Sequence, residues 1–198
     1  MSARERILGR IAAALHDRLP AARPGHVERA RPDDPIEAFC AALEAAGAEW
    51  QTVAGRAAVP GAVAAYRARE RLAGEMVVAP GLASLDWPAN LGAGFGSAGR
   101  KTELGVGEAL AGIAETGTVV LASGADTPTL LNFLPDHQLV VLERARVVGS
   151  LEEGYAAVGR PLPRVVNFVT GPSRTADVEQ TLQIGAHGPR RLVVLLVE

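Results

Sequence analysis

The stretch GAVAAYRARERLAGEMVVAPG, residues 61–81, decides the fold class. Gly61 to Leu72 reads as a helix. Met76 to Ala79 is a compact apolar run closed by Pro80-Gly81, the pattern of a buried strand. Working toward the N-terminus, Trp50–Val53 reads as a short extended piece. Ile36–Ala46 reads as a helix with Ile36, Phe39, Cys40 and Leu43 on one face and Gly47 as its stop. Toward the C-terminus, Thr129–Leu134 reads as a short helix, Gln138–Leu142 as a buried strand and Leu151–Val158 as a helix. Arg164–Val169 reads as a central strand, and a last strand follows Pro189. This alternation predicts an α/β fold with a mostly parallel sheet.

Ahead of that region, Ile7, Leu8, Ile11, Leu15 and Leu19 fall at helical spacing among arginines, the mark of an amphipathic helix. Pro20, Pro24, Pro32 and Pro35 then interrupt any helix, so residues 20–35 read as a linker. The expected organisation is an N-terminal helix with its Pro-rich linker over 1–34 and an α/β domain over 35–198. The helix is expected to pack on a neighbouring subunit, on a partner or back on its own domain.

The chain has 198 residues, 48% hydrophobic, 21% charged and 4% aromatic, with a formal charge of −2. That balance argues against a nucleic-acid or anionic-membrane partner. Cys40 is the single cysteine, and on its apolar face it reads as a small buried hydrophobe. This chain alone therefore forms no disulfide, all-cysteine zinc site or iron–sulfur cluster. His16, His26, His137 and His187 lack the spacing of a zinc catalyst, so no metal site is expected. Leu192–Val197 is far shorter than the ~20 residues of a membrane helix. The N-terminus has no unbroken apolar segment, and Glu5 and Asp17 weigh against an organellar presequence, so a cytoplasmic protein is expected.

Three segments carry candidate chemistry. Gly92–Gly96 has neither the flanking elements nor the spacing of a phosphate loop and reads as a loop or lid; Lys101 beyond it is the only lysine. The turn Glu115-Thr116-Gly117-Thr118 stands between apolar flanks as a hairpin-like reversal. It presents Glu115 either as a solvated turn residue or as an acid or nucleophile beside hydroxyls and amides. After the strand at 164–169 comes Thr170-Gly171-Pro172-Ser173-Arg174-Thr175, and Ala176–Leu182 reads as a helix capped by Thr175. A helix N-terminus there, with Gly171, Ser173, Arg174, Thr175 and Ala176, would bind a carboxylate or phosphate. The alternative is that Ser173 and Thr175 merely cap and Arg174 pairs with a nearby acid. His187, flanked by glycines, is a candidate proton carrier or a structural histidine.

GIAETGTVVL at 112–121 and GPSRTADVEQTLQIGAHGPRRL at 171–192 resemble the lactate utilization protein C family, the LUD-domain proteins. The resemblance is close over residues 100–198. It implies a three-layer α/β/α fold like that of ribose-phosphate isomerases, glucosamine-phosphate deaminases and coenzyme A transferases, here with an N-terminal helical arm. It also implies a role in oxidising L-lactate to pyruvate beside two iron–sulfur partner proteins, this chain being the cluster-free member. Where the family carries an Asp a few residues before ETGT, this chain has Leu110. Glu108 is near, but on an extended strand it is expected to point elsewhere.

Three functional expectations follow. In the first, this is the cluster-free subunit of a lactate-oxidising system, with Glu115 and His187 as catalytic candidates and Thr116, Gly117, Thr118, Gly171, Ser173, Arg174, Thr175 and Ala176 holding an organic carboxylate or phosphate. No cofactor is assigned to this chain; iron–sulfur clusters belong to the partners. The second is a stand-alone isomerase or acyl-transferase acting on a phosphate-bearing molecule or a thioester. The third is a non-catalytic module that senses a metabolite or aids assembly, and the N-terminal arm is a candidate oligomerisation element.

Overall fold

The computed structural model describes residues 2–16, 32–177, 181–184 and 188–198. It divides into two compact units, residues 1–30 and 31–198. Within the first, α1 (Ala3–His16) is closed at its start by a reciprocal cap: Glu5 N donates to Ser2 Oγ and Ser2 N to the Glu5 carboxylate. Ile7, Leu8, Ile11 and Leu15 on this helix are all exposed. Most of the expected linker lies outside the described residues.

The second unit opens with α2 (Pro35–Ala45), whose Asp34 cap accepts from the amides of Ile36 and Glu37. Then follow β1 (Glu49–Val53), α3 (Val59–Arg69), β2 (Glu75–Val78), β3 (Ala93–Phe95) and β4 (Thr102–Glu108). A hairpin of β5 (Ala111–Ile113) and β6 (Thr118–Ala122) precedes β7 (His137–Glu143), β8 (Val147–Val148) and α4 (Leu151–Val158). The chain ends through β9 (Val166–Val169), β10 (Arg174–Asp177), β11 (Thr181–Ile184) and β12 (Arg191–Val197).

Six strands form an all-parallel sheet in the order β1-β12-β7-β4-β2-β3. Buried on both faces, its middle strands read LVV rather than alternating apolar with polar. One face packs Val59, Val63 and Tyr66 of α3 against Leu139, Val141, Val193 and Leu195. The other packs Phe39 and Leu43 of α2, with Val119 and Leu121 of β6, against Val140, Leu142, Val194 and Leu196. The fold class is therefore the α/β, mostly parallel one that the sequence predicts.

Several local expectations change. The apolar run at 164–169 is not a central strand: β9 lies at the edge of a second sheet, β8-β5-β6-β9, where it pairs antiparallel with β6 and leaves Phe168 partly exposed. Residues 92–96 are not wholly loop, because β3 adds a sixth strand beside β2. Thr129–Leu134 shortens to a single 3-10 turn over Thr129–Asn132.

The largest correction concerns 176–182. Instead of a helix, β10 and β11 pair antiparallel, with Arg174 opposite Ile184 and Asp177 opposite Thr181. A seven-residue helix with only Val178 and Leu182 as large apolar residues buries too little to offset its nucleation cost. Pairing instead satisfies the backbone of β-branched Thr175 and Thr181.

Candidate functional site

Five of the ten predicted site residues gather near the last two turns of α2, and glycine makes the approach possible. Gly117, in the β5–β6 turn, has φ +62°. A Cβ there would lie 2.4 Å from Leu43 N and 2.5 Å from the Ala42 carbonyl carbon. Gly171, at φ +79°, passes as closely to Ala46, whose carbonyl oxygen would be 2.5 Å from a Cβ. A side chain at either position would collide with helix backbone.

Three hydroxyls tie the two segments together. Thr116 Oγ1 and Thr118 Oγ1 are 2.6 Å apart, and Thr118 Oγ1 and Thr170 Oγ1 are also 2.6 Å apart. Arg174 lies over Gly47, beyond the end of α2, so that any Cβ on Gly47 would strike its guanidinium. A cation there suits the carbonyl end of a helix. The structure thus brings Thr116, Gly117, Thr118, Gly171 and Arg174 to one corner.

Glu115 turns away from it. Its Oε2 accepts from Leu151 N at 3.4 Å, at the start of α4, while its own amide donates to Gly149 O. Ser173 lines an adjoining cavity of about 260 Å³ with Asn132, Gln138 and two residues of the corner, Thr170 and Gly171. Its amide is already used, donating to Pro189 O at 2.9 Å. Thr175 and Ala176 are paired in β10, so they form no helix N-terminus. No helix dipole therefore faces an anion at this place. His187 lies outside the described residues.

A second cluster, unseen in the sequence, sits at the carboxyl ends of the central strands, where open α/β sheets present ligand crevices. Glu108 ends β4 and Glu143 ends β7, its neighbour in the sheet. Arg56, in the 3-10 turn after β1, reaches both: Nη1 donates to Glu108 Oε1 at 2.7 Å and to Glu143 Oε1 at 2.8 Å. The hydrogen bond to Glu108, then that to Glu143, raises the guanidinium pKa further above its ordinary value. The turn after β2 comes close as well, with a Cβ on Gly81 falling 3.8 Å from Glu108 Oε2.

Two carboxylates on one guanidinium leave a cluster of net negative formal charge at the strand ends. Glu108 directs its carboxylate to Arg56. The missed signal was a strand-terminal glutamate twice over, in GVGE and VVLE, with one arginine to serve both.

On the opposite, amino-terminal side of the sheet, Tyr66 and His137 meet with phenol oxygen and Nδ1 2.7 Å apart. Burial lowers the His137 pKa from its ordinary 6.5, outweighing the opposing pull of Glu70. Burial likewise raises the Tyr66 pKa, so the pair favours a neutral phenol and a neutral imidazole, and the imidazole tautomer sets which of them donates. Among the described residues no group of three or more His, Cys, Asp or Glu is placed to hold a metal ion. None of the described helices is long and apolar enough to cross a membrane.

Residues 94–197, more than half of the chain, match the LUD domain. The chain is 31% identical over 117 residues to a protein of Geobacillus thermodenitrificans named lactate utilization protein C, covering 56% of this chain and 49% of that protein. It is 36% identical over 92 residues to a protein of the same name from Halalkalibacterium halodurans, covering 43% and 40%. The chain thus spans about half the length of these curated relatives, or less. A crystal structure of a DUF162 family protein from Deinococcus radiodurans superposes with a TM-score of 0.62 at 23% identity, covering 83% of this chain and 96% of that one. That likeness establishes the fold.

Proposed function

The chain belongs to the LUD domain family, and from that premise we propose that it acts in lactate utilization, as the cluster-free subunit of a system oxidising L-lactate to pyruvate. The observation that carries the proposal is the match over 94–197, together with relatives named for lactate utilization. One cysteine, buried on α2, leaves this chain without the ligands of an iron–sulfur cluster. The clusters are accordingly assigned to partner proteins, which would accept the two electrons that leave lactate.

The part left to this chain is to hold the 2-hydroxy acid and move its protons. Glu108 and Glu143 are the preferred groups for proton transfer, because they stand together at the carboxyl ends of β4 and β7 with Arg56 between them. Glu115, in the β5–β6 turn with its carboxylate toward the start of α4, is the second carboxylate candidate. The corner of Thr116, Thr118 and Thr170 offers hydroxyls rather than a helix dipole, with Arg174 as the nearby cation.

Growth tests the proposal. A strain lacking this gene should fail on L-lactate as sole carbon source and recover when the chain is supplied. A deletion strain that grows normally on L-lactate would overturn it.

A further inference from the structure

An open cleft of about 500 Å³ lies between the C-terminal half of α3 and the 3-10 turn Ala89–Leu91. Ala64, Ala68, Leu72 and Leu91 supply its apolar lining, and Arg67, Arg71 and Asn90 its polar side chains. The Arg67 guanidinium sits among these walls: Nε donates to Leu72 O at 3.2 Å and Nη1 to Leu91 O, while Nη2 reaches Gly74 O at 2.9 Å. Carbonyls thus take three of the five N–H groups and leave the charge unmatched. Among the described residues no carboxylate pairs with Arg67 or Arg71, whereas Arg56, Arg69 and Arg191 each hold at least one. Arg71 also occupies an unusual backbone position. Leu72 N donates to Arg67 O and Arg71 N to Ala68 O, the helix ending in which the left-handed residue is ordinarily glycine. Here it is arginine at φ +56°, alone among the described non-glycine residues in having a positive φ. A side chain there costs stability that glycine would not. The helix dipole does not account for it, because Arg67 and Arg69 already place cations in the last turn.

We infer that this cleft binds a small phosphate monoester with an apolar body. Arg71 and the two remaining N–H groups of Arg67 meet the doubly charged phosphate, for which guanidinium forks are suited. Asn90 adds a carboxamide N–H. The volume exceeds what a bare phosphate fills, and Ala64, Ala68, Leu72 and Leu91 offer the ester's body apolar surface. A carboxylate is disfavoured because its single charge leaves one guanidinium unmatched.

The cleft lies toward the amino ends of β2 and β3, whereas Arg56, Glu108 and Glu143 gather at the carboxyl ends of the sheet, and it does not rest on the lactate reading. Titration calorimetry and NMR on the full chain test it, with phenyl phosphate, inorganic phosphate, benzoate and L-lactate as probes, above the second phosphate pKa of about 6. Phenyl phosphate should bind one to one and shift the amide signals of Arg71, Leu72 and Leu91. Inorganic phosphate, which lacks the ring, should bind several-fold more weakly. Benzoate and L-lactate, with one charge each, should bind at least tenfold more weakly. Arg71→Gly should lower affinity for phenyl phosphate at least tenfold while keeping or raising the urea midpoint, because glycine suits the left-handed backbone. Asn90→Ala, at an exposed position, should lower affinity several-fold. No binding of phenyl phosphate, benzoate binding as tightly, or unchanged affinity in the Arg71→Gly chain would overturn the assignment. Growth on L-lactate is a separate readout, so the two proposals fail independently.

Discussion

Replacing Gly117 by Ala puts a methyl group where α2 already runs. The new Cβ would sit 2.4 Å from Leu43 N, 2.5 Å from the Ala42 carbonyl carbon and 2.9 Å from its oxygen, whereas ordinary contact begins near 3.4 Å. All three atoms are helix backbone, so no rotamer change relieves them, and the hairpin or the helix must retreat by about 1 Å. That retreat opens the packing of Phe39 and Leu43, both fully buried. Overpacking of this kind costs about 1–3 kcal/mol, and a left-handed alanine adds about 1 kcal/mol. Gly92 isolates the second contribution, because its φ is +58° and a Cβ there meets nothing within 4 Å. In urea denaturation Gly117→Ala should therefore be less stable than Gly92→Ala by about 2 kcal/mol, or about 1 M in midpoint at a typical slope. Equal stability in the two variants would refute the close approach of hairpin and helix. With it would go the account of how the Thr116–Thr118–Thr170 corner is held.

Other perturbations reach the remaining groups. Arg56→Ala leaves Glu108 and Glu143 without their shared cation; because Arg56 is more than one-third exposed, solvent screening limits the cost to about 1 kcal/mol. Urea titrations should show that deficit shrinking at high salt, as the remaining repulsion is screened; a deficit that grows with salt would count against it. His137 has its folded pKa lowered below 6.5 by burial, so the unfolded chain binds more protons in the interval beneath that value. Stability should therefore be level above it and fall as the pH drops through the interval. His137→Gln should flatten that fall, and an unchanged slope would argue against the buried neutral imidazole. Glu108→Gln should slow growth on L-lactate far more than Glu115→Gln, whose carboxylate already accepts from the start of α4. The reverse order would move proton transfer to the hairpin corner.

The parallel core was legible because a strand buried on both faces is spelled as an unbroken aliphatic run, as in Leu139–Leu142 and Leu192–Val197. The caps were legible for a similar reason: Gly47 adopts φ +83° just beyond α2, a conformation that favours glycine. β4 was missed because Gly105 and Gly107 break its apolar pattern. Gly105 is there for room, since a Cβ would lie 2.5 Å from Pro135 Cγ.

β9 misled in the opposite direction. Its apolar run is that of a buried strand, but Phe168 faces outward at a sheet edge, and local sequence does not reveal which sheet a strand joins. The segment 176–182 has intermediate propensities, and its state is set by pairing between residues 174 and 184. Arg56, Glu108 and Glu143 are separated by 52 and 87 positions from arginine to each glutamate. Only the order of strands in the sheet brings them together.

The proposal of lactate oxidation is tested most directly by mixing the purified chain with the proposed iron–sulfur partner proteins and adding L-lactate. The cluster absorbance should bleach and pyruvate should accumulate only when all the proteins are present. Bleaching at the same rate without this chain, or none with the full set, would contradict the account.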